Sequence, residues 1–203
     1  MTSKWNYLPL TTEEQKLEID LAKEFANCPP ISELLVQRGI TSIEEAEKFF
    51  HPSLKDMHDP FLMPDMDKAV NRLNQAMGLK EKIMVYGDYD VDGVTSVSIL
   101  YMYLRDRGVN VDYYIPTRES EGYGLNIGAF HTIKDTGTTL VITVDTGITA
   151  IDEIAYAKTI GLDIVVTDHH QCRPELPACE AVVNPRRPDC TYPFKELSGV
   201  GVV

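Results

Sequence analysis

From Lys82 onward the chain alternates two kinds of segment, and this alternation constrains the fold more than any other feature. Short apolar runs occupy Ile83–Tyr86, Val111–Ile115, Leu140–Val144, Ile164–Thr167 and Ala181–Val183. They end in Gly87-Asp88, Pro116, Asp145, Asp168 and Asn184-Pro185. Amphipathic helical stretches lie between the first four runs, at about Thr95–Arg107, Ile127–Lys134 and Ala150–Thr159. Runs this short are strands, and runs this uniformly apolar are strands covered on both faces. Strand–helix–strand repetition joins parallel neighbours. The expected fold is α/β: a parallel five-stranded sheet flanked by helices.

The first part of the chain reads differently, as a helical N-terminal arm. Thr11 with Glu14 forms a capping box, followed by Leu17, Leu21 and Phe25 at helical spacing. Pro29 and Pro30 stop that helix. A second helix covers Ile31–Arg38 and ends at Gly39; a third starts after Ser42, with Glu45 closing its capping box. Residues 51–64 hold three prolines and read as an extended linker, before a helix over Met66–Met77. The expected division is an arm and linker over 1–78 and a sheet domain over 79–203.

Composition narrows the function. The balance of 19 basic and 31 acidic residues gives a net charge of −12, which argues against generic polyanion binding. No window approaches 18 uncharged apolar residues, and Met1–Asn6 lacks the apolar core of a signal peptide, so no membrane is expected as a partner. Cys28, Cys172, Cys179 and Cys190 form no Cys-x-x-Cys pair, which fits a reducing cytoplasm.

Parallel strands point their C-terminal ends at one edge, where ligands of open α/β sheets bind. Here that edge is acidic: Asp88, Asp145 and Asp168 end strands, and His169 and His170 follow directly. Asp90 and Asp92 stand at alternate positions after Asp88, so an extended backbone projects all three to one side. Crowded carboxylates repel one another and must protonate unless cations neutralise them. Carboxylates with imidazoles suit Mn²⁺, Mg²⁺ or Zn²⁺, with oxygen-rich ligation favouring the harder ions. Four or more acids exceed the needs of one ion and point to two, roughly 3.5–4 Å apart, as in phosphoester hydrolysis.

Gly87-Asp-Tyr-Asp-Val-Asp-Gly-Val-Thr-Ser96 resembles the first motif of the DHH phosphoesterases, and Asp168-His169-His170 resembles the motif that names them. The chain is more similar still to that family's bacterial exonucleases, which degrade single-stranded DNA from the 5′ end. The supporting segments are His51–Leu54, Asp59–Ala69, Gly122–Gly124, Val144–Thr149, Val183–Arg186 and Pro193–Gly201. The resemblance implies metal binding by Asp90, Asp92, Asp145 and His169, with Asp88 a weaker candidate and Asp168 either a ligand or the group that orients the imidazole. It implies Asp145, His169 and His170 as catalytic residues, with His170 facing the scissile phosphate. It implies a substrate strand held by Arg118, Gly122, Tyr123, Gly124, Asn184 and Arg186. Mn²⁺ or Mg²⁺ are the implied cofactors, two ions in all. Single-stranded DNA is the implied substrate, with a single-strand-binding protein and a helicase as partners in repair and recombination.

The resemblance also places a further metal-binding Asp and a substrate-binding domain beyond Gly199–Gly201. The apolar ending Leu197–Val203 reads as a boundary inside a longer protein, and the isolated chain is expected to be inactive. Arg173, Arg186, Arg187 and Lys195 supply a partial basic groove. Two other readings remain at this point. One is a DHH phosphodiesterase acting on short oligonucleotides or cyclic dinucleotides. The other is a receiver-like signalling domain, which also sets Asp residues at the ends of its first and third strands. Against the second, His169 and His170 have no role there, and Asn184-Pro185-Arg186 stands where a receiver needs Lys.

Overall fold

The computed structural model describes residues 7–25, 28–117, 122 and 124–203. The chain divides into two compact units, one ending at Met57 and one running from His58 to Val203.

The first unit is helical. Helix α1 (Thr12–Glu24) opens with the expected capping box: Glu14 N–H donates to Thr11 Oγ1 at 3.3 Å and Thr11 N–H to Glu14 Oε2 at 2.7 Å. Helix α2 (Pro29–Gln37) begins at the two prolines, which therefore start this helix as well as separating it from α1. Proline suits the first turn because its missing N–H would have no partner there. Helix α3 (Ile43–Phe50) keeps Ser42 as its cap, but the Glu45 carboxylate reaches past Ser42 to Thr41 N–H at 2.7 Å and Thr41 Oγ1 at 2.9 Å. Leu21, Leu35, Val36 and Ala46 form the small core.

The first unit ends in a short 3₁₀ turn at Leu54–Asp56, and the second opens with another at Pro60–Leu62. Helix α4 (Met66–Leu79) then packs its Met66, Ala69, Leu73, Ala76 and Met77 into the core beneath the sheet. The strands are β1 (Lys82–Gly87), β2 (Val111–Tyr114), β3 (Thr138–Val144), β4 (Asp163–Thr167) and β5 (Ala181–Val183). Their order is β2-β1-β3-β4-β5 and every pairing is parallel. Helices α5 (Val91–Asp106), α6 (Ile127–Asp135) and α7 (Ile151–Thr159) make the crossovers, and a short α8 (Gly199–Val202) follows.

Both faces of the sheet are buried, as the unbroken apolar runs require. Ile83, Val85, Ile142 and Val165 turn to the face covered by α4, α5 and α8. Met84, Tyr86, Val141, Ile164 and Val166 turn to the face covered by α6 and α7, against Phe130, Ile133 and Ile154. At the N-terminal end of the strands Arg72 of α4 donates to Glu81 at 2.8 Å and to Asp163 at 2.9 Å, and Thr139 Oγ1 adds a 2.5 Å bond to Glu81.

The Arg72 guanidinium holds the Glu81 carboxyl below its ordinary value. A carboxyl lowered in the folded state contributes stability above its unfolded pKa, and loses it as pH falls through the folded one. Arg72→Met is expected to cost about 2 kcal/mol at pH 7, the scale of hydrogen bonds to a charged group. The difference from the parent narrows as pH falls below the ordinary Glu value of about 4.3 towards the lowered folded one, where the Glu81 carboxylate takes up its proton. Urea midpoints at pH 7 and pH 3.5 check both statements.

Candidate metal centre at the sheet edge

The chain leaves β1 to form β2 on one side, then returns to form β3 on the other, so β1 and β3 border the point where the winding reverses. Asp88 follows β1 and Asp145 follows β3. Hydrogen bonds continue the ladder past the strand ends: Asp145 N–H donates to Thr167 O and Asp168 N–H to Val183 O, each at 3.0 Å. These bonds fix the backbone of both acids at the edge.

The Asp-x-Asp-x-Asp run is not extended. Asp90 is the N-cap of α5, its Oδ1 accepting from Gly93 N–H at 2.9 Å, so the helix begins at Val91 and not at Thr95. Asp92 rides on the first helical turn. Capping by an Asp side chain outweighs the weak helix preference of the residues that follow. Gly93 makes the turn sterically feasible, since a Cβ there would lie 2.5 Å from Asp88 O. Asp88 is 2% exposed, and its Oδ1 accepts from Tyr89 N–H at 2.7 Å. Burial, with the nearby Asp90 and Asp168 charges, raises its carboxyl pKa.

Asp145 stands at the centre. Its backbone is left-handed (φ 58°), a strained conformation of the kind that clusters at functional sites. Its carboxylate is 1% exposed, and its buried Oδ1 has no hydrogen-bond partner. Burial first, then repulsion from Asp92 and Asp90, pushes its pKa up to about 7. His169 Nε2 lies 3.1 Å from Asp145 Oδ1 and 3.6 Å from Asp92 Oδ2. Ligand atoms of Asp145, His169 and His170 all fall within 4.8 Å of one another, the one such group found among the described residues. An orphaned buried carboxylate oxygen beside two imidazoles and further acids is a donor set that fits a divalent cation.

Asp168 lies outside that group. Its Oδ1 accepts from His169 N–H (2.7 Å), His170 N–H (3.0 Å) and His170 Nδ1 (2.7 Å), and its Oδ2 from Ile148 N–H (2.9 Å). Burial works to raise its pKa, but these hydrogen bonds outweigh it and the carboxyl sits below its ordinary value. The imidazole that Asp168 orients is therefore that of His170, not His169. The same hydrogen bond raises the His170 pKa against the effect of burial.

The residues expected to hold substrate divide. Arg118 and Tyr123 lie outside the described residues. Gly122 and Gly124 adopt φ of 79° and 85°, and Gly124 O accepts from Tyr86 Oη at 2.9 Å. Asn184 is fully buried; its Nδ2 donates to His170 O at 3.0 Å and its Oδ1 accepts from Arg186 N–H at 2.7 Å. It thus braces the loop that carries His170. Arg186 donates to Glu196 at 2.6 Å. Of the other cations expected in a basic groove, Arg187 is held by Asp65 and Asp189, and Lys195 donates to Cys190 O.

One contributor goes unnoticed in the sequence. Helix α8 starts at Gly199, and the amides of Gly199 and Val200 donate to the Asp92 carboxylate at 2.7 and 2.8 Å. Ser198, placed as its N-cap, was the available signal.

The geometry defines an open, doubly wound α/β domain with a carboxylate–imidazole cluster at its switch point. Receiver domains share this strand order, so the sheet alone does not separate the two classes; His169 against Asp145 and Asp92 does. Residues 82–203 match the DHH family, N-terminal domain, and the chain belongs to that family. It is 47% identical over 202 residues to the single-stranded-DNA-specific exonuclease RecJ of Bacillus subtilis, covering 100% of this chain and 26% of that protein. A crystal structure of exonuclease RecJ bound to manganese aligns with a TM-score of 0.64 at 31% identity, over 72% of this chain and 37% of that one. RecJ of Thermus thermophilus in complex with Mn²⁺ aligns with a TM-score of 0.64 at 26% identity, over 96% of this chain and 26% of that one.

If Asn184 braces the His170 loop, Asn184→Ala is expected to destabilise the folded protein by about 2 kcal/mol, because His170 O and Arg186 N–H lose a buried partner. Urea unfolding without ligand measures this. An unchanged midpoint would return Asn184 to a direct role on substrate.

Proposed function

We propose that this chain forms the metal-binding part of a 5′→3′ exonuclease that hydrolyses single-stranded DNA to 5′ mononucleotides, acting in DNA repair and recombination. The observation that carries the reading is Asp145 Oδ1, buried and without a hydrogen bond, with His169 Nε2 3.1 Å away. The likeness to the exonuclease relatives supports the substrate, and the family resemblance supports the 5′ polarity. In this reading residues 1–78 serve as an arm and linker and 79–203 as the phosphoesterase domain.

Asp90, Asp92, Asp145 and His169 would hold Mn²⁺ or Mg²⁺, two ions in all, with Asp88 beside them. Bound there, such ions supply an activated water and neutralise phosphoryl charge. Asp168 holds the His170 ring by Nδ1 and favours its cationic form, which suits it to face the phosphoryl oxygens of the scissile bond. Arg118, Tyr123 and the backbone of Gly122 and Gly124 would grip the strand, since glycines let amides approach a phosphate. Arg186 completes that set on giving up Glu196. Ionised carboxylates repel DNA, so the edge attracts a strand only once cations are in place.

We place the enzyme in the cytoplasm, where its free cysteines stay reduced. Among the described residues no helix is long and apolar enough to cross a membrane. A helicase that exposes single strands and a protein that coats them are the partners this activity calls for.

Asp145→Asn in the intact protein is expected to abolish release of mononucleotides from a long single strand while the protein stays folded. The variant should also unfold at a higher denaturant concentration than the metal-free parent at pH 8, because the parent carries an unpaired buried charge there. With Mn²⁺ at a hundred times its Kd the parent gains about 2.7 kcal/mol and the variant gains none. Near-parental hydrolysis by folded Asp145→Asn sinks the assignment. Faster cleavage of dinucleotides than of long strands by the parent would replace the exonuclease with a short-substrate phosphodiesterase.

A further inference from the structure

We infer that the turn Ser198–Val200 is a positioning element of the metal centre, with Gly199 as its critical residue. The inference rests on the metal reading above and adds to it a segment that supplies no ligand.

Two contacts carry it. The amides of Gly199 and Val200 grip both oxygens of Asp92, at 2.7 Å to Oδ2 and 2.8 Å to Oδ1, across 107 and 108 residues of sequence. A carboxylate held by both oxygens cannot rotate, so Oδ2 stays toward His169 Nε2. The second contact is steric. A Cβ on Gly199 would stand 2.4 Å from Asp145 Oδ1 and 2.6 Å from both its Cβ and its Cγ.

Asp145 has nowhere to retreat. Its side chain is buried, its backbone is already in the left-handed region, and its N–H is committed to Thr167 O. Ser198 Oγ, accepting from Gly201 N–H at 3.3 Å, sets where the helix begins and so the register of both amides. One turn of chain thus fixes the direction of one acid and forms a wall behind another. It acts through Asp92 and Asp145 alone, which makes its residues positioning residues.

Gly201 provides the internal control. It is exposed, and a Cβ there would meet a flexible side-chain end, Leu197 Cδ2, at 3.1 Å. Alanine at Gly201 is accommodated by a small shift of Leu197 and is favoured by helix propensity.

The test measures Mn²⁺ binding by electron paramagnetic resonance in the intact protein, together with the metal-free unfolding midpoint. Gly199→Ala is expected to weaken Mn²⁺ binding about tenfold to a hundredfold, the range seen when a group that orients a metal ligand is lost. Val200→Pro replaces the amide hydrogen that Asp92 Oδ1 accepts with the ring Cδ, so it removes one of the two hydrogen bonds and pushes that oxygen out of its place. It is expected to weaken binding in the same direction, and it decides the matter should Gly199→Ala fail to fold. Gly201→Ala should bind as the parent does. Folded Gly199→Ala and Val200→Pro with parental Mn²⁺ affinity overturn the inference, as does a lowered midpoint with unchanged affinity, the mark of simple packing. A parent that takes up no Mn²⁺ overturns the metal reading itself, which separates the two failures.

Discussion

The structure turns on the mutual repulsion of carboxylates brought to one edge of a buried sheet. Most of those acids are compensated by the protein itself. Asp88 accepts from the Tyr89 amide, Asp90 from Gly93, Asp92 from Gly199 and Val200, and Asp168 from Ile148, His169 and His170. Backbone amides are fixed dipoles that cannot move away, so these bonds keep each acid in one place. Asp145 Oδ1 sits among them, buried and without such a donor. The fold therefore concentrates negative charge around one oxygen and leaves it for something other than protein to satisfy.

The two ends of the strands show opposite treatments of charge. At the N-terminal end the Arg72 guanidinium pairs with both Glu81 and Asp163, and the Thr139 hydroxyl donates to Glu81. That network ties α4 to the sheet and gives both carboxylates a shared guanidinium. At the C-terminal end His170 is held by Asp168, whose two oxygens also accept from the Ile148, His169 and His170 amides. A site that must bind a cation has to remain short of positive charge when empty.

The sheet was legible in the sequence because strands buried on both faces stay apolar nearly throughout; Thr143, polar and fully buried in β3, is tolerated because its hydroxyl donates to Thr146 O at 2.8 Å. The edge acids were legible for the same reason, since they interrupt runs that burial otherwise keeps apolar. What was hidden depends on partners far along the chain. Arg187 looks like a free loop cation until Asp65, 122 residues away, takes its guanidinium. Nothing near Asn184 in sequence announces that its amide closes on His170 O. The start of α5 was misjudged because Asp90 has two readings, one strand-like by spacing and one as a helix cap, and only the second satisfies the Gly93 amide.

Glycine placement joins these points into one mechanism of assembly. Gly87 lets α5 approach the end of β1, where a Cβ would lie 2.2 Å from Val97 Cγ2. Gly93 lets the first turn of α5 fold against the Asp88 backbone, and Gly199 lets α8 abut the Asp145 carboxylate. Each removes the Cβ that would hold backbone and acid apart. Backbone amides can steer carboxylates only at hydrogen-bond distance, and bulkier residues at these positions would move the helix starts outward. The acids would then relax toward solvent, where water screens their repulsion and their need for a cation falls. Close approach of glycine backbone is what keeps the repulsion strong enough to select one.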